Sequence, residues 1–354
     1  MYKKTILHII YSLGRGGAET MLVQVIKKLT AYHNIVVTLD DTHHFKEELQ
    51  CDEYICLQQP RLLSFPLAAI KLRKLINSKD IDIVHSHLPM ANFAARLAVP
   101  SSIKLITTIH NSIATSDDYK KWWIRFIDKT TFNFRNSTVI AVSTTAMDDY
   151  FRVLQIKNTS AILLYNFVDT SMYAANRGIS HSPAFKMICV GALSKQKNIG
   201  FLITGCALLE DKNILLDVYG TGQLQPELQE LINQHQAKVI LKGQVNNIAA
   251  TLPQYDLFVM SSLFEGFSLS VLEAMAAGLP LLLSDIPSFK EQCGEHALYF
   301  DLNDPEDLAR KIVLLQSDKE LRNKMAANAQ AYVNKHFTIE KHIESLTAIY
   351  EASS

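Results

Sequence analysis

The chain is short of the features that mark several protein classes. Its five cysteines, Cys51, Cys56, Cys189, Cys206 and Cys293, are scattered through 354 residues and odd in number. No disulfide framework and no zinc-ligand spacing emerges from them. Reduced thiols in a cytoplasm are the expected state. No apolar run is long enough to cross a bilayer as a helix. Lys3, Lys4 and the apolar Ile6–Leu13 mimic the start of a signal peptide, but the run is short, contains His8 and lacks a cleavage-like site. A buried first strand is expected instead. Lys and Arg together number 35, and so do Asp and Glu. With no net charge, nothing global argues for nucleic acid. No tandem repeat or low-complexity tract stands out, so a repeat architecture has no support.

What is present suits a soluble globular protein: 48% of residues are apolar and 20% charged. The length allows two domains, each with its own core. Charge is uneven between them. Residues 1–170 hold 20 Lys and Arg against 15 Asp and Glu, and the remainder the reverse, 15 against 20. The basic first half suits an anionic partner. Strand-like and helix-like segments alternate throughout. Strands are expected at Thr5–Leu13, Asn34–Asp40, Glu53–Leu57, Ile81–His87, Lys104–His110, Thr138–Ser143 and Ala161–Asn166. A second series follows at Lys186–Leu193, Ile214–Tyr219, Val239–Leu241, Leu257–Met260, Leu281–Ser284 and Ala297–Phe300. Amphipathic helices such as Ala18–Tyr32 and Leu67–Ser78 lie between, and Lys319–His336 and Ile339–Ala352 close the chain.

The pattern reads as α/β, with two Rossmann-like, doubly wound parallel-sheet domains. The expected division is an N-terminal domain at 1–170, a linker at 171–183, a second domain at 184–337, and a C-terminal helix at 338–354 able to pack back on the first domain. The linker is placed where apolar periodicity lapses and Gly178, Ser180, Ser182 and Pro183 cluster. Ligands of such sheets sit at the carboxyl ends of strands, so the loops after strands carry the argument.

The most informative stretch is Ser261–Pro280, SSLFEGFSLSVLEAMAAGLP. It reads as the end of a buried strand, a polar loop, and a short helix starting near Leu269 with Ser268 as N-cap. Backbone N–H groups at Phe267, Ser268 and Leu269 would then face an anion, which the helix dipole also favours. Glu265 lies before the helix and Glu273 about one turn into it. Carboxylates beside an anion pocket suit hydroxyl guests, as on a sugar or ribose. The alternative is that both acids merely solvate the helix. Their placement along one segment does not suit a glycosidase pair, whose acids face each other roughly 5–10 Å apart.

Other loops add smaller signals. Gly14-Arg15-Gly16-Gly17-Ala18-Glu19 follows the first strand, but Glu19 occupies the third glycine position of a dinucleotide fingerprint. Asp40, at the end of the second strand, could bind a ribose, so this stretch alone leaves a dehydrogenase open. In Val84-His85-Ser86-His87, alternation puts the two histidines on one face and Ser86 on the other; no third metal ligand is spaced nearby. His110 ends another strand. Ser143 fits a helix N-cap. From Asp118 to Arg135, basic residues alternate with Trp122, Trp123, Phe126, Ile127, Phe132 and Phe134. That pattern could dock on an anionic membrane or lipid-linked acceptor, but we read the aromatics as core with lysines as solvated flanks.

Glu265-Gly-Phe-Ser-Leu-Ser-Val-Leu-Glu273, with Ala-Met-Ala-Ala-Gly-Leu-Pro after it, resembles the E-x7-E signature of retaining glycosyltransferases of family 4, which have the GT-B fold. Gly16-Gly17-Ala18-Glu19, the V-H-x-H strand, Thr108–His110 and Val190–Asn198 are similar to that family at corresponding points, so the resemblance spans nearly the whole chain. It implies a nucleotide-sugar donor held by the second domain, in a cleft against the first. Glu265 would hold donor-sugar hydroxyls and Glu273 the ribose. Lys197, with amides near Ser268 and Leu269, would stabilise the departing diphosphate without a metal. His110 would approach the sugar ring. Gly16 and Gly17 would lie near the donor phosphates, and Val245, in Gly243-Gln244-Val245, would meet the base through its backbone. Phe267 belongs to the same donor-binding loop. Tyr219-Gly220-Thr221-Gly222 resembles the family's G-x-G turn and is read as structural. One departure stands out: Ala192 replaces the family's arginine, and Arg15 or Lys195 could substitute.

The function implied is transfer of a sugar, with retention, from a UDP- or GDP-linked donor to a glycan or lipid-linked acceptor in cell-surface polysaccharide or lipopolysaccharide synthesis. No cofactor, no metal and no nucleic acid is expected. The location implied is cytoplasmic, with peripheral association at the inner face of the membrane left open. A nucleotide-sugar epimerase of the same fold and a non-catalytic nucleotide-sugar-binding subunit are the alternatives.

Overall fold

The computed structural model describes residues 3–59, 64–114, 116–157, 161–173, 184–211, 213–245 and 247–352. It consists of two compact units, residues 1–166 with 340–354, and residues 167–339. The chain therefore passes between units twice, after Asn166 and after Ile339.

The first unit is built on seven parallel strands: β1 Thr5–Ile10, β2 His33–Thr38, β3 Glu53–Cys56, β4 Ile83–His87, β5 Lys104–Ile109, β6 Thr138–Ala141 and β7 Ala161–Leu163. Their order is β3-β2-β1-β4-β5-β6-β7. The central strands β1, β4 and β5 are buried along almost their whole length, as a sheet covered on both faces requires, polar residues included. On one face, Leu7, Ile9 and Val84 pack against alanines of helices Phe65–Asn77 and Pro89–Ala98. These small residues let two helices lie close to the sheet. On the other, Ile10 and Val36 meet Leu22, Val23 and Ile26 of helix Gly17–Lys28. The helix Ile339–Glu351 belongs to this unit from Glu340 onward. Its Tyr350 packs edge-on against Tyr32 and His85, and Lys104 Nζ donates to the carbonyls of Ile349 and Ala352, each at 2.6 Å.

The second unit has six parallel strands: β8 Phe185–Val190, β9 Ile214–Tyr219, β10 Val239–Gly243, β11 Leu257–Met260, β12 Leu281–Ser284 and β13 Leu298–Phe300. They run in the order β10-β9-β8-β11-β12-β13. In each unit the winding reverses beside the first strand, between β1 and β4 and between β8 and β11. Such switch points open a crevice at the carboxyl ends of the strands.

All thirteen expected strands form. The first stops at Ile10 rather than Leu13, because the chain turns away and Leu13 keeps only an isolated bridge to His43. The linker expected at 171–183 begins later than the boundary seen. Thr170–Tyr173 is a 3-10 turn within the second unit, which starts at Phe167; residues 174–183 lie outside the described part. The reading of Asp118–Arg135 as core aromatics is half corrected. Ile124 and Phe132 of helix Trp122–Phe134 are buried, but Trp122, Phe126 and Phe134 are 71%, 62% and 71% exposed. A single helix facing a sheet can turn only one side inward.

That helix is fixed by a buried ion pair. Arg96 and Asp128 are almost wholly out of water and 2.6 Å apart. Tyr150 donates to Asp128 Oδ1 at 2.8 Å and Tyr119 to Oδ2 at 2.5 Å, while Arg96 Nη2 donates to the Tyr150 hydroxyl at 2.9 Å. Arg96 also lies over the Phe132 ring. The network ties together helices Pro89–Ala98, Trp122–Phe134 and Thr144–Leu154. Removing one partner strands the other charge. Asp128→Ala should therefore cost about 3–5 kcal/mol of stability in urea unfolding, and the double change Arg96→Met with Asp128→Leu should recover much of that. A loss below about 1 kcal/mol for Asp128→Ala would show that the pair is solvated after all.

Candidate active site

At the switch point of the second unit, two loops 68 residues apart in sequence meet around one carboxylate. Lys197, from the turn after β8, places Nζ 2.6 Å from Glu265 Oε1. Ser262 Oγ donates to the same oxygen at 2.6 Å, and Gln196 Nε2 approaches Oε2 at 3.4 Å. The loops are stitched by backbone as well. Leu263 N donates to Gln196 O at 2.8 Å, and Ser261 Oγ to the carbonyl of Asn198 at 2.9 Å. Gly191 leaves room for the lysine stem, since a Cβ there would stand 3.1 Å from Lys197 Cε. Glu265 is buried, and this ring of donors offsets the cost of taking its carboxyl group out of water. Lys197 is thus an acid's partner.

The helix after this loop spans Leu269–Ala276, with Ser268 at the N-cap position as expected. Its amide is not open, however. Ser268 N donates to Gln292 Oε1 at 2.9 Å, and Gln292 Nε2 returns a bond to Ser268 O at 2.8 Å. The Ser268 side chain bonds Ser270 Oγ instead of capping. Phe267 is buried against the Phe337 ring. Leu269 keeps part of its surface exposed. The expected trio of outward amides is thereby corrected at Ser268, because a buried glutamine supplies the missing acceptor from 24 residues away.

Glu273 lies one turn into the helix. Its carboxyl is hydrogen-bonded by Tyr173, and burial pushes its pKa up to about 7 despite that bond, which acts in the opposite direction. Tyr173 is itself held protonated by burial and by Glu273. Tyr219-Gly220-Thr221-Gly222 is a packing device. A Cβ at Gly220 would fall 1.9 Å from Gly191 O, and its φ is +142°; a Cβ at Gly222 would fall 2.3 Å from Leu193 O. The turn lies flat against the 191–193 backbone and supports the Lys197 loop. Val245 follows β10, whose last residue, Gly243, has φ +71°. Ala192 is exposed beside this loop, as is Lys195.

The first unit gathers histidines at its own switch point. The register of β1 and β4 sets His8 beside His85. His85 and His87 share a face with ring centroids 4.2 Å apart, while Ser86 turns the other way to donate to Asn92 Oδ1 at 2.7 Å. His87 Nδ1 lies 3.1 Å from Nε2 of His110, which links the strand to the residue expected near the sugar. His85 spends Nε2 on Thr108 Oγ1 and Nδ1 on the Tyr350 hydroxyl, each at 2.7 Å. Asn34 settles the tautomer of His8. Its amide nitrogen donates to the carbonyls of Leu29 and Tyr32, so its oxygen faces His8 Nε2, which carries the proton. His8 Nδ1 is then a bare lone pair, and it and His87 Nε2 have no partner. They adjoin a cavity of about 10 Å³, room for about one water.

His8 is the third nearby imidazole that sequence spacing did not reveal; candidate ligand atoms of His8, His85 and His87 lie within 4.8 Å of one another. With both nitrogens of His85 already bonded, only two are turned to the cavity, fewer than a zinc site uses. A single polar guest such as water suits them better.

The remaining candidates lie at the edge of this unit. Gly16 is the N-cap residue and Gly17 the first residue of helix Gly17–Lys28. The Glu19 side chain folds back over Gly16, where a Cβ would fall 2.3 Å from its carboxylate oxygen, and burial raises its pKa. Arg15 is exposed. Ser143 is a helix N-cap, its Oγ accepting from Ala146 N at 3.0 Å.

Two doubly wound parallel-sheet units make up the GT-B fold, which solved glycosyltransferase structures share. The family profile "Glycosyltransferase Family 4" matches residues 15–172 and "Glycosyl transferases group 1" matches residues 177–332. The chain belongs to glycosyltransferase family 4 and is a glycosyltransferase. It is 26% identical to N-acetyl-alpha-D-glucosaminyl L-malate synthase of Bacillus anthracis, over 86% of this chain and 82% of that one. It is also 26% identical to a Campylobacter jejuni protein, N-acetylgalactosamine-N,N'-diacetylbacillosaminyl-diphospho-undecaprenol 4-alpha-N-acetylgalactosaminyltransferase, over 97% and 96% of the two chains. Anabaena HepE in complex with UDP-glucose has the same fold, with a TM-score of 0.85 at 19% identity over 98% of each chain. Among the described residues no helix is long and apolar enough to cross a membrane.

Burial makes the histidine set a pH liability. The pKa values of His8 and His342 are lowered to about 4 and that of His110 to about 3, with His85 and His87 also driven well down. Each is held neutral when folded, whereas an unfolded histidine titrates near 6.5. Between those values the unfolded chain binds more protons, so stability rises with pH there and is lost on acidification. The melting temperature should fall from pH 7 to pH 5, with amide exchange accelerating first in β1, β4 and β5. A flat profile over that range would mean that the imidazoles are solvated.

Proposed function

We propose that the protein transfers a sugar, with retention, from a UDP- or GDP-linked donor to a lipid-linked glycan acceptor in cell-surface polysaccharide synthesis. The observation that carries this reading is the buried Glu265 carboxylate, held at the end of β11 by Lys197 and Ser262. A carboxylate so placed, with one oxygen engaged twice and the other only by a long contact, has acceptor capacity left for sugar hydroxyls. Lys197 can serve two anions at once, because its ammonium has three donors. As the donor breaks, a cation fixed beside the leaving diphosphate stabilises the developing charge without reorganising. Glu273 takes the ribose and exchanges its bond from Tyr173 for bonds from sugar hydroxyls. We place the diphosphate at the start of the Leu269–Ala276 helix, on the Leu269 amide rather than on Ser268, which Gln292 occupies. His110 meets the sugar, with Gly16, Gly17 and Val245 as flanking donor contacts.

The relatives support the substrate class. One is named for an acceptor on diphospho-undecaprenol, another for galactosyl transfer from UDP-Gal to such a carrier, and HepE binds UDP-glucose. An acceptor of that kind would bring the enzyme to a membrane surface as a peripheral protein. Neither metal nor cofactor is required in this scheme, so chelators should leave turnover unchanged.

A thermal-shift screen with UDP, GDP and their sugars comes first. A ligand at 100 times its Kd adds about 2.7 kcal/mol, and no shift with any of them would sink the proposal. With the donor known, Lys197→Ala should cut turnover about 100- to 1000-fold. Its melting must be compared too, since Glu265 loses its cation. Glu273→Gln should weaken nucleotide binding about tenfold. Because the carboxyl is neutral below about pH 7 and charged above it, affinity in the parent should rise through that pH. The Gln variant should show no such rise; calorimetry giving identical curves would remove Glu273 from the ribose site.

A further inference from the structure

We propose that the outer face made by helices Phe65–Asn77 and Trp122–Phe134 of the first unit docks on an anionic lipid bilayer. Twelve large apolar side chains stand exposed among the described residues, and five of them lie on these two helices. Trp122, Phe126 and Phe134, the exposed Trp and Phe residues of that set, all come from one helix; Leu67 and Ile70, 57% and 55% exposed, come from the other. Both helices pack on the same neighbour, Pro89–Ala98, so they share one layer of the unit. Trp122 and Phe126 are four residues apart and project side by side, as Leu67 and Ile70 do at a spacing of three.

The charge of this face is of one sign. Helix Phe65–Asn77 displays Lys71, Arg73 and Lys74 and contains no acid. Helix Trp122–Phe134 displays Arg125, and its one acid, Asp128, is buried against Arg96. The Asp118–Lys121 pair beside it is neutral as a unit. Aromatic rings interleaved with long basic side chains match the headgroup region of a bilayer, where rings sit at the polar boundary and ammonium groups reach phosphates. A protein partner would need an acidic rim around an apolar groove, whereas lipid phosphates supply the counter-charge over any shape. The Arg96–Asp128 network presents the ring-bearing helix rigidly, so little ordering entropy is lost on docking. The inference deepens the reading of a lipid-linked acceptor but needs no part of the donor site.

The test is co-sedimentation of the whole protein with vesicles of phosphatidylglycerol and phosphatidylethanolamine, against vesicles of phosphatidylcholine alone. Binding should be about tenfold or more tighter to the anionic vesicles and should weaken with added salt. The Trp122 emission should shift to the blue on binding. Trp122→Ser with Phe126→Ser should lower binding at least about tenfold and leave melting nearly unchanged, because both side chains are already in water. Lys74→Glu with Arg125→Glu should abolish the preference for anionic lipid. The nucleotide-sugar thermal shift should be the same in all variants, so failure of the donor reading and failure of this one are separable. The proposal is overturned if the parent stays in the supernatant with both vesicle types or if the double serine variant binds as the parent does. It is overturned equally if light scattering shows a dimer that the serine changes dissociate while vesicles capture nothing.

Discussion

A polar group taken out of water must be given a partner, and both sheets of this protein carry polar groups out of water at the same place. Parallel strands are covered on both faces, so their only openings are at the ends, where loops emerge. There the chain sets Glu265 and Ser262 in one unit and His85, His87 and Thr108 in the other. Most are satisfied from elsewhere in the chain: Lys197 reaches Glu265, Tyr350 and Thr108 hold His85, and His110 meets one ring nitrogen of His87 while the other has no partner. These bonds fix the side chains in place. Preorganisation of that kind is what an electrostatic mechanism needs.

The two ends are prepared differently. In the second unit one acid is paired with a cation, and a second acid, Glu273, is pushed toward neutrality by burial. In the first, burial keeps five imidazoles neutral, so they can accept or donate hydrogen bonds without carrying charge. Both arrangements cost stability. Ion pairs and neutral histidines are retained under cover although apolar residues of similar size would pack there at less cost. Such expense at strand ends is the mark of a site rather than of a core.

Much of this was legible in the residues. The alternation of apolar runs and amphipathic segments gave all thirteen strands because each strand is short, buried and bounded by polar turns. The E-x7-E stretch pointed to an acid before a helix and another inside it, which is where Glu265 and Glu273 stand. Alternation put His85 and His87 on one face. Other parts had no local signature. Trp122 and Phe126 look like core in a linear reading, since nothing in the sequence says which side of a helix its neighbours will cover.

What the sequence determined by itself was the set of elements and their parallel class, because periodicity is a property of neighbours along the chain, while the acids and the lysine were singled out by resemblance to a family. Tertiary structure decided the partnerships. Gln292 closes the Ser268 amide, Tyr173 engages Glu273, His8 joins the histidine pair from another strand, and Tyr350 crosses 265 residues to hold His85. Each depends on strand order and on where a distant helix packs. Those are set by how whole layers cover the sheets, which no window of sequence contains.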